Sequence, residues 1–333
     1  MTFQNLSKIV DGVCRNAPAV TAYEKLETKA HLIKRGDLFV GSDPVAISQA
    51  IENGAYAILH EGSPIMIDEE VAWIGVTSIE EALVKILRFS LLHTPSLFFH
   101  FPPISYDILR QIVKKENVVF LDALPSENFK KILYADANSF FISQDEIFLQ
   151  NIYPEYLHYH DKKESLLTLT HQSLFLSSFI YEDIHFENVK LPALFLPELN
   201  SVLHFLKDAS LSFDIDRLSF IEHFKPLFVS NTLTIRPFGC SEHAFIAQPE
   251  EKDIQRSLQY IQRHAPWANT LLFVPKFLGN AEFKTSSVYY FDTLEELKDI
   301  EVDKFNFILI LANYNELSLV LENYKQKRTL SLF

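Results

Sequence analysis

GDLFVGSDPVAISQAIENGAYAILHEG, residues 36 to 62, decides how the chain is to be read. Its outer parts are short apolar runs of strand length. Between them PVAISQAIENGA (44–55) spaces its apolar residues as one helical face, opened by a proline and closed by Gly54. Strand, helix and strand in that order predict a parallel crossover. The pattern then repeats, with VAWIGV (71–76) as a strand and SIEEALVKILRFSLL (78–92) as a helix whose Ser78 and Glu81 have the spacing of a capping box. The first 92 residues therefore read as a small α/β unit.

The alternation returns from residue 236. EEKDIQRSLQYIQRHAP (250–266) and TLEELKDI (293–300) read as helices, and NTLLFVPKF (269–277) and VYYF (288–291) as strands. FNFILILA (305–312) has the strong hydrophobicity of a central strand, and NELSLVLENYKQKR (315–328) is a last helix whose basic end suits its dipole. This part reads as doubly wound. Between the two lie NVVFLDA (117–123) and SFFISQ (139–144) as strands and SENFKKILYA (126–135) as a helix. Residues 165–195 alternate as hairpin strands do. LPELNSVLHFLKDAS (196–210) reads as a helix with a buried face and DIDRLSFIEHFKPL (214–227) as a shorter one. The expectation is a three-domain α/β protein, divided as 1–92, 93–235 and 236–333.

Composition bounds the function. A chain of 333 residues, 48% of them hydrophobic, can bury a large core, and it has no apolar run of the length that spans a bilayer. MTFQNLSKIVDG at the amino terminus lacks the basic-then-apolar pattern of a signal peptide, so a soluble cytoplasmic protein without a transmembrane segment is expected. The 43 acidic and 30 basic residues give a net charge of −13, a field that repels a phosphate backbone; no nucleic-acid partner is expected. Cys14 and Cys240 have neither metal nor redox spacing. Most of the 29 phenylalanines are expected in the core, the remainder being available to a partner surface.

PSLFFHFPPISYDILRQI (95–112) is a strand, turn and helix, the parts from which a phosphate site is made. Its turn, HFPPIS, has no glycine and no lysine, and its two prolines each remove an amide donor; Ser105 is left as a cap for the helix. No glycine occurs anywhere from 76 to 238, which excludes both glycine-dependent nucleotide fingerprints there. Two further clusters read as structural. In YLHYHD (156–161), His158 and His160 would share a strand face but lack a third ligand. Ser241, Glu242 and His243 are adjacent, whereas triad members arrive from separate elements, so a polar turn is expected.

IKRGDLFVG (33–41), AISQAIENGAYAILHEG (46–62) and VAWIGVTSIEEALVKIL (71–87) resemble the substrate-recognition domain of the Mur ligases, most of all the branch that adds the D-alanyl-D-alanine dipeptide to the peptidoglycan precursor. LPELNSVLHFLKDASLSFDIDRL (196–218), with Asn200 at the family's internal asparagine, and the segment 290–324 resemble later parts of the same family. The resemblance implies three domains, ATP and magnesium. Thr28, Lys29, Ala30 and His31 stand where the family is similar to TDSR, with His31 in place of the arginine, and HFPPIS stands in place of a GTNGKTT-like loop. Only Pro249 in AFIAQPEEKDI (244–254) matches the third domain's acidic segment.

A ligase of this type activates a carboxylate as an acyl phosphate and needs positive charge around the γ-phosphate. The expected protein is therefore a degenerate, non-catalytic relative without cofactor or metal. It would act by binding a cell-wall synthesis ligase or another envelope-synthesis protein. The alternatives are a divergent ATP-dependent ligase and a UDP-sugar-binding module without turnover. Lys29, His31, Lys34 and Arg35, a basic cluster beside the family's ligand edge, are the candidate ligand contacts.

Overall fold

The computed structural model describes residues 1–92, 96–114, 117–121, 125–136, 138–159, 164–279, 283, 285 and 287–330. Helix α1 (Phe3–Val10) is capped by the Thr2 hydroxyl, which accepts the amide of Asn5. Strands β1 (Val13–Cys14), β2 (Leu26–Glu27), β3 (Leu38–Val40), β4 (Ala57–Glu61) and β5 (Ala72–Val76) form a sheet of order β1-β5-β4-β3-β2, antiparallel only at β1. Helix α2 (Pro44–Glu52) crosses from β3 to β4, with Asp43 accepting the amide of Ala46 and Pro44 in its first turn. It ends at Gly54, φ +95°, where a Cβ would meet the Arg35 Cα at 3.1 Å.

Helix α3 (Ile79–Leu91) starts as Ser78 predicts, that hydroxyl accepting the amide of Glu81. The amide of Ile79 is taken by the carboxylate of Glu61 at the end of β4. A complete capping box forms instead between Thr293 and Glu296.

A second, wholly parallel sheet of order β7-β8-β6-β9 follows, from β6 (Leu97–His100), β7 (Val118–Phe120), β8 (Phe140–Ser143) and β9 (Leu157–His158). The intervening helices are α4 (Pro103–Ile112), α5 (Pro125–Leu133) and α6 (Glu146–Ile152). Helix α3 packs on α1, α5 and α6. Its Leu83, Ile86 and Leu87 share one apolar core with Leu59 and Ile74 of the first sheet and with Phe98 and Phe141 of the second. Residues 1–102 and 115–159 accordingly make one compact unit, and 103–114 with 160–333 a second.

In the second unit β10 (Leu167–Gln172), β11 (Ser177–Tyr181) and β12 (Ile184–Val189) form the predicted antiparallel sheet. Glu182 and Asp183 turn the second hairpin with φ of +46° and +64°, the signature of a type I′ turn without its usual glycine. Helix α7 (Leu196–Asp208) packs on α4. The last sheet has order β13-β14-β17-β15-β16, from β13 (Lys225–Val229), β14 (His243–Gln248), β15 (Thr270–Pro275), β16 (Val288–Phe291) and β17 (Phe307–Leu311), with only β13 antiparallel. Leu317 and Leu321 of α9 (Tyr314–Leu330) share a core with Phe245, Phe273 and Ile308 of this sheet, and β17 lies at its centre as its composition requires. Helix α8 (Glu251–His264) links β14 to β15. Its Arg256 pairs with Glu198 of α7 and sits 5.3 Å over the Phe195 ring, and Phe175 meets Phe224, Phe228 and Phe307.

Residues 214–227 are not a helix. They form 3₁₀ turns at Ile215–Arg217 and Glu222–Phe224 and then enter β13. Pro226 cannot continue a helix and holds Lys225 extended. The backbone of 212–214 is meanwhile engaged with the end of α4, through Lys114 N–H to the Ser212 carbonyl and Asp214 N–H to the Ile112 carbonyl, each 2.9 Å. TLEELKDI is likewise a 3₁₀ helix, Leu294–Asp299. The basic side chains at the end of α9 lie outside the described residues. Phenylalanine fills the core as expected, Phe39, Phe98, Phe141, Phe179 and Phe245 being fully buried, while Phe238 and Phe277 are exposed. Among the described residues no helix is long and apolar enough to cross a membrane.

Because Leu83 supports both sheets of its unit, Leu83→Ala is expected to cost about 2–5 kcal/mol in urea unfolding. Ile65→Ala, at an 83% exposed position, is expected to stay within about 0.5 kcal/mol of the parent.

Candidate functional site

The carboxyl edge of the second sheet is where an open parallel sheet places a ligand. Strand β6 ends at His100 and α4 begins at Pro103, so Phe101 and Pro102 alone join them. The Phe101 amide donates to the Ser143 carbonyl at 2.9 Å, and its buried ring stacks on Tyr159 with centroids 5.5 Å apart. Pro102 and Pro103 have no amide hydrogen. Ser105 is the third residue of α4 and buried, so it does not hold the cap position expected of it; Pro103 at the helix start supplies the fixed φ that nucleates the first turn.

Around this edge the side chains engage the backbone and one another. The Ser143 hydroxyl accepts the Asp145 amide at 3.0 Å, and the Asp145 carboxylate caps α6 by accepting the amide of Phe148 at 2.9 Å. Tyr156 donates its hydroxyl to Glu146 at 2.9 Å, and His158 Nε2 lies 3.4 Å from the same carboxylate. His100, the register partner of His158, meets that ring edge-on at 5.3 Å; burial pushes the His100 pKa down, against the nearby Glu146, and favours the neutral ring. A phosphate would face Asp145 and Glu146 here, without a glycine nest; Lys131 of α5 donates to the Phe120 carbonyl at the end of β7 at 3.0 Å. His160 and Asp161 lie outside the described residues. Among the described residues no three His, Cys, Asp or Glu side chains converge as a metal site.

The basic quartet lies on the loop between β2 and β3. Lys29, His31, Lys34 and Arg35 are all exposed, and Arg35 lines a cavity of about 600 Å³ with Glu52, Tyr56, Asp68 and Glu70. Its Nε donates to the Tyr56 hydroxyl at 3.2 Å, and the Lys34 amide donates to Asp37 at 2.9 Å. The anion at the head of this loop is internal. Glu27 Oε1 accepts the amides of Thr28 and Lys29 at 2.9 and 3.0 Å, and Oε2 pairs with Lys130 of α5. Burial alone would raise the Glu27 pKa, but the Lys130 ammonium and the two amides hold it below the ordinary glutamate range.

Ser241 and His243 are spent on the backbone. The Ser241 hydroxyl donates to the Val229 carbonyl, and His243 Nδ1 lies 2.7 Å from the Phe305 carbonyl. The polar-turn reading of SEH accords with this geometry. A cluster that sequence reading missed is Asp107, His223 and Asp253, brought together from α4, a 3₁₀ turn and α8. Members 116 and 30 residues apart leave no local spacing to recognise.

No protein-family model matches the sequence, and no curated protein matches it. Among solved structures the chain is similar to MurF from Acinetobacter baumannii, at 9% identity over 98% of both chains with a TM-score of 0.58. It is also similar to MurF ligase from Thermotoga maritima in complex with ADP, at 15% identity over 92% of this chain and 98% of that one, TM-score 0.55. A UDP-N-acetylmuramoylalanyl-D-glutamyl-2,6-diaminopimelate–D-alanyl-D-alanyl ligase from Acinetobacter baumannii gives 8% identity over 98% of both chains and a TM-score of 0.53.

The lowered Glu27 pKa stabilises the fold above the unfolded glutamate value of about 4.3, and that contribution is lost as the pH falls through the lower folded value. Glu27→Gln is expected to lower stability by about 1–2 kcal/mol near neutral pH, with the gap to the parent closing below about pH 4 in chemical denaturation. The chain has the multidomain α/β fold of the Mur ligases.

Proposed function

We propose that this chain is a non-catalytic Mur-ligase-like protein that acts by binding a protein partner in peptidoglycan precursor synthesis. The β6–α4 connection carries the reading. Phosphoryl transfer needs amides and a cation around the γ-phosphate. Here two residues make the connection, the Phe101 amide is held by Ser143, and both following positions are prolines. A phosphate-loop nest would need several consecutive free amides, which a two-residue proline link does not supply. The neighbouring carboxylates of Asp145 and Glu146 oppose a second anion by Coulomb repulsion.

The loop carrying Lys29, His31, Lys34 and Arg35 supports the same conclusion for the UDP-sugar. Glu27 already satisfies the amides of Thr28 and Lys29, and the Arg35 cavity carries three carboxylates. The proposed partner is a cell-wall synthesis ligase or another envelope-synthesis protein. The division into a recognition-like domain (1–92), a central domain without a phosphate loop (93–235) and a carboxyl-terminal domain (236–333) belongs to this proposal.

Calorimetric titration with magnesium-ATP tests it. No saturable heat is expected, while sedimentation of the protein with a genuine MurF ligase is expected to yield a heavier species. Saturable ATP binding would return the chain to the ligases.

A further inference from the structure

His223 is buried, 4% exposed, in the 3₁₀ turn before β13. Its Nε2 lies 3.9 Å from Asp107 Oδ2 on α4, and its Nδ1 lies 3.6 Å from Asp253 Oδ2 in the first turn of α8. Neither His223 Nδ1 nor Asp253 Oδ2 has a hydrogen-bond partner among the described residues. A neutral imidazole has one N–H and one lone pair, so in that state one of the two nitrogens turns a lone pair towards a carboxylate. Two arrangements relieve this: an imidazolium between two carboxylates, or a neutral ring with one protonated aspartic acid. Both hold one proton for the three groups, and the proton belongs to the trio rather than to one residue.

Charges of both signs surround Asp107. Glu222 on the turn and Glu250 beside α8 add negative charge, opposed by Arg110 of α4; Arg256 of α8 is engaged with Glu198 of α7, and Tyr260 lies against Phe224. Burial raises the Asp107 pKa, against the effect of His223. Helix α4 is held at its carboxyl end by backbone bonds that do not titrate, from Lys114 and Asp214, by the Arg217 guanidinium donating to the Val113 carbonyl, and by Gln111 accepting the Ser219 amide. Asp107, in its amino-terminal half, faces the turn across the 3.9 Å separation from His223.

We propose that Asp107, His223 and Asp253 form a proton-operated latch that fastens the amino-terminal half of α4 to α8 and to the turn before β13. The folded latch binds a proton that the opened groups release, so it is strongest at low pH and weakens as the pH rises past the point where the trio deprotonates.

Hydrogen exchange on the intact protein tests this, comparing the amides of Asp107–Leu109 with those of Gln111–Val113 after correction for intrinsic base catalysis. Between about pH 6 and about pH 8.5, protection of the first group is expected to fall about tenfold and that of the second to hold. His223→Gln is expected to remove the pH dependence; if it fails to fold, Asp253→Asn should reduce it. Protection that is independent of pH, that falls equally in both halves of α4, or that keeps its pH profile in the folded variants would overturn the latch.

Discussion

Helix α3 has one broad apolar face, Ala82, Leu83, Ile86 and Leu87, and burying it ties together the first unit. The same core takes in residues of the sheet that precedes the helix and of the sheet that follows, and α3 packs on α1, α5 and α6. A core shared in this way is worth more than two separate ones, because each buried leucine removes apolar surface from both layers. The edge strand β2 is closed in the same manner. Tyr134, just beyond α5, both accepts the Leu26 amide and donates to the Leu26 carbonyl, and Lys130 pairs with Glu27. Recognition-like loop and central sheet are thus parts of one packed body, and the anion in that loop is the protein's own.

The chain passes from β6 to α4 without a loop. The Phe101–Ser143 bond extends the β6–β8 ladder past His100, and Pro103 starts the helix immediately. A glycine loop pauses between strand and helix and lets successive amides turn inward; here the backbone has no residues to spare for such a turn. The edge is built instead from a serine and an aspartate that accept backbone amides, and from a tyrosine, a glutamate and two histidines that meet one another.

Elements with their own periodicity and stop signals were legible in the sequence: α2 between Pro44 and Gly54, α3 after Ser78, the 165–195 hairpins, and β17 as the central strand. The proline turn was legible too, because proline acts through covalent geometry. Residues 214–227 misread as a helix since their apolar spacing was helical while Pro226 and the hydrogen bonds to α4 decided otherwise. The two-residue strands β1, β2 and β9 carry too few residues for a pattern. Glu27 was invisible as a site residue because its partner Lys130 lies far along the chain, and the Asp107–His223–Asp253 cluster was invisible for the same reason. The basic quartet was found by adjacency in the sequence, on the loop between β2 and β3.

The most direct measurement is turnover: purified protein with magnesium-ATP, UDP-muramyl tripeptide and D-alanyl-D-alanine, followed by release of inorganic phosphate and by mass spectrometry of the muramyl peptide. The account predicts no phosphate release above the buffer rate and no mass gain. Phosphate released only when all three substrates are present, together with a lengthened peptide, would contradict it.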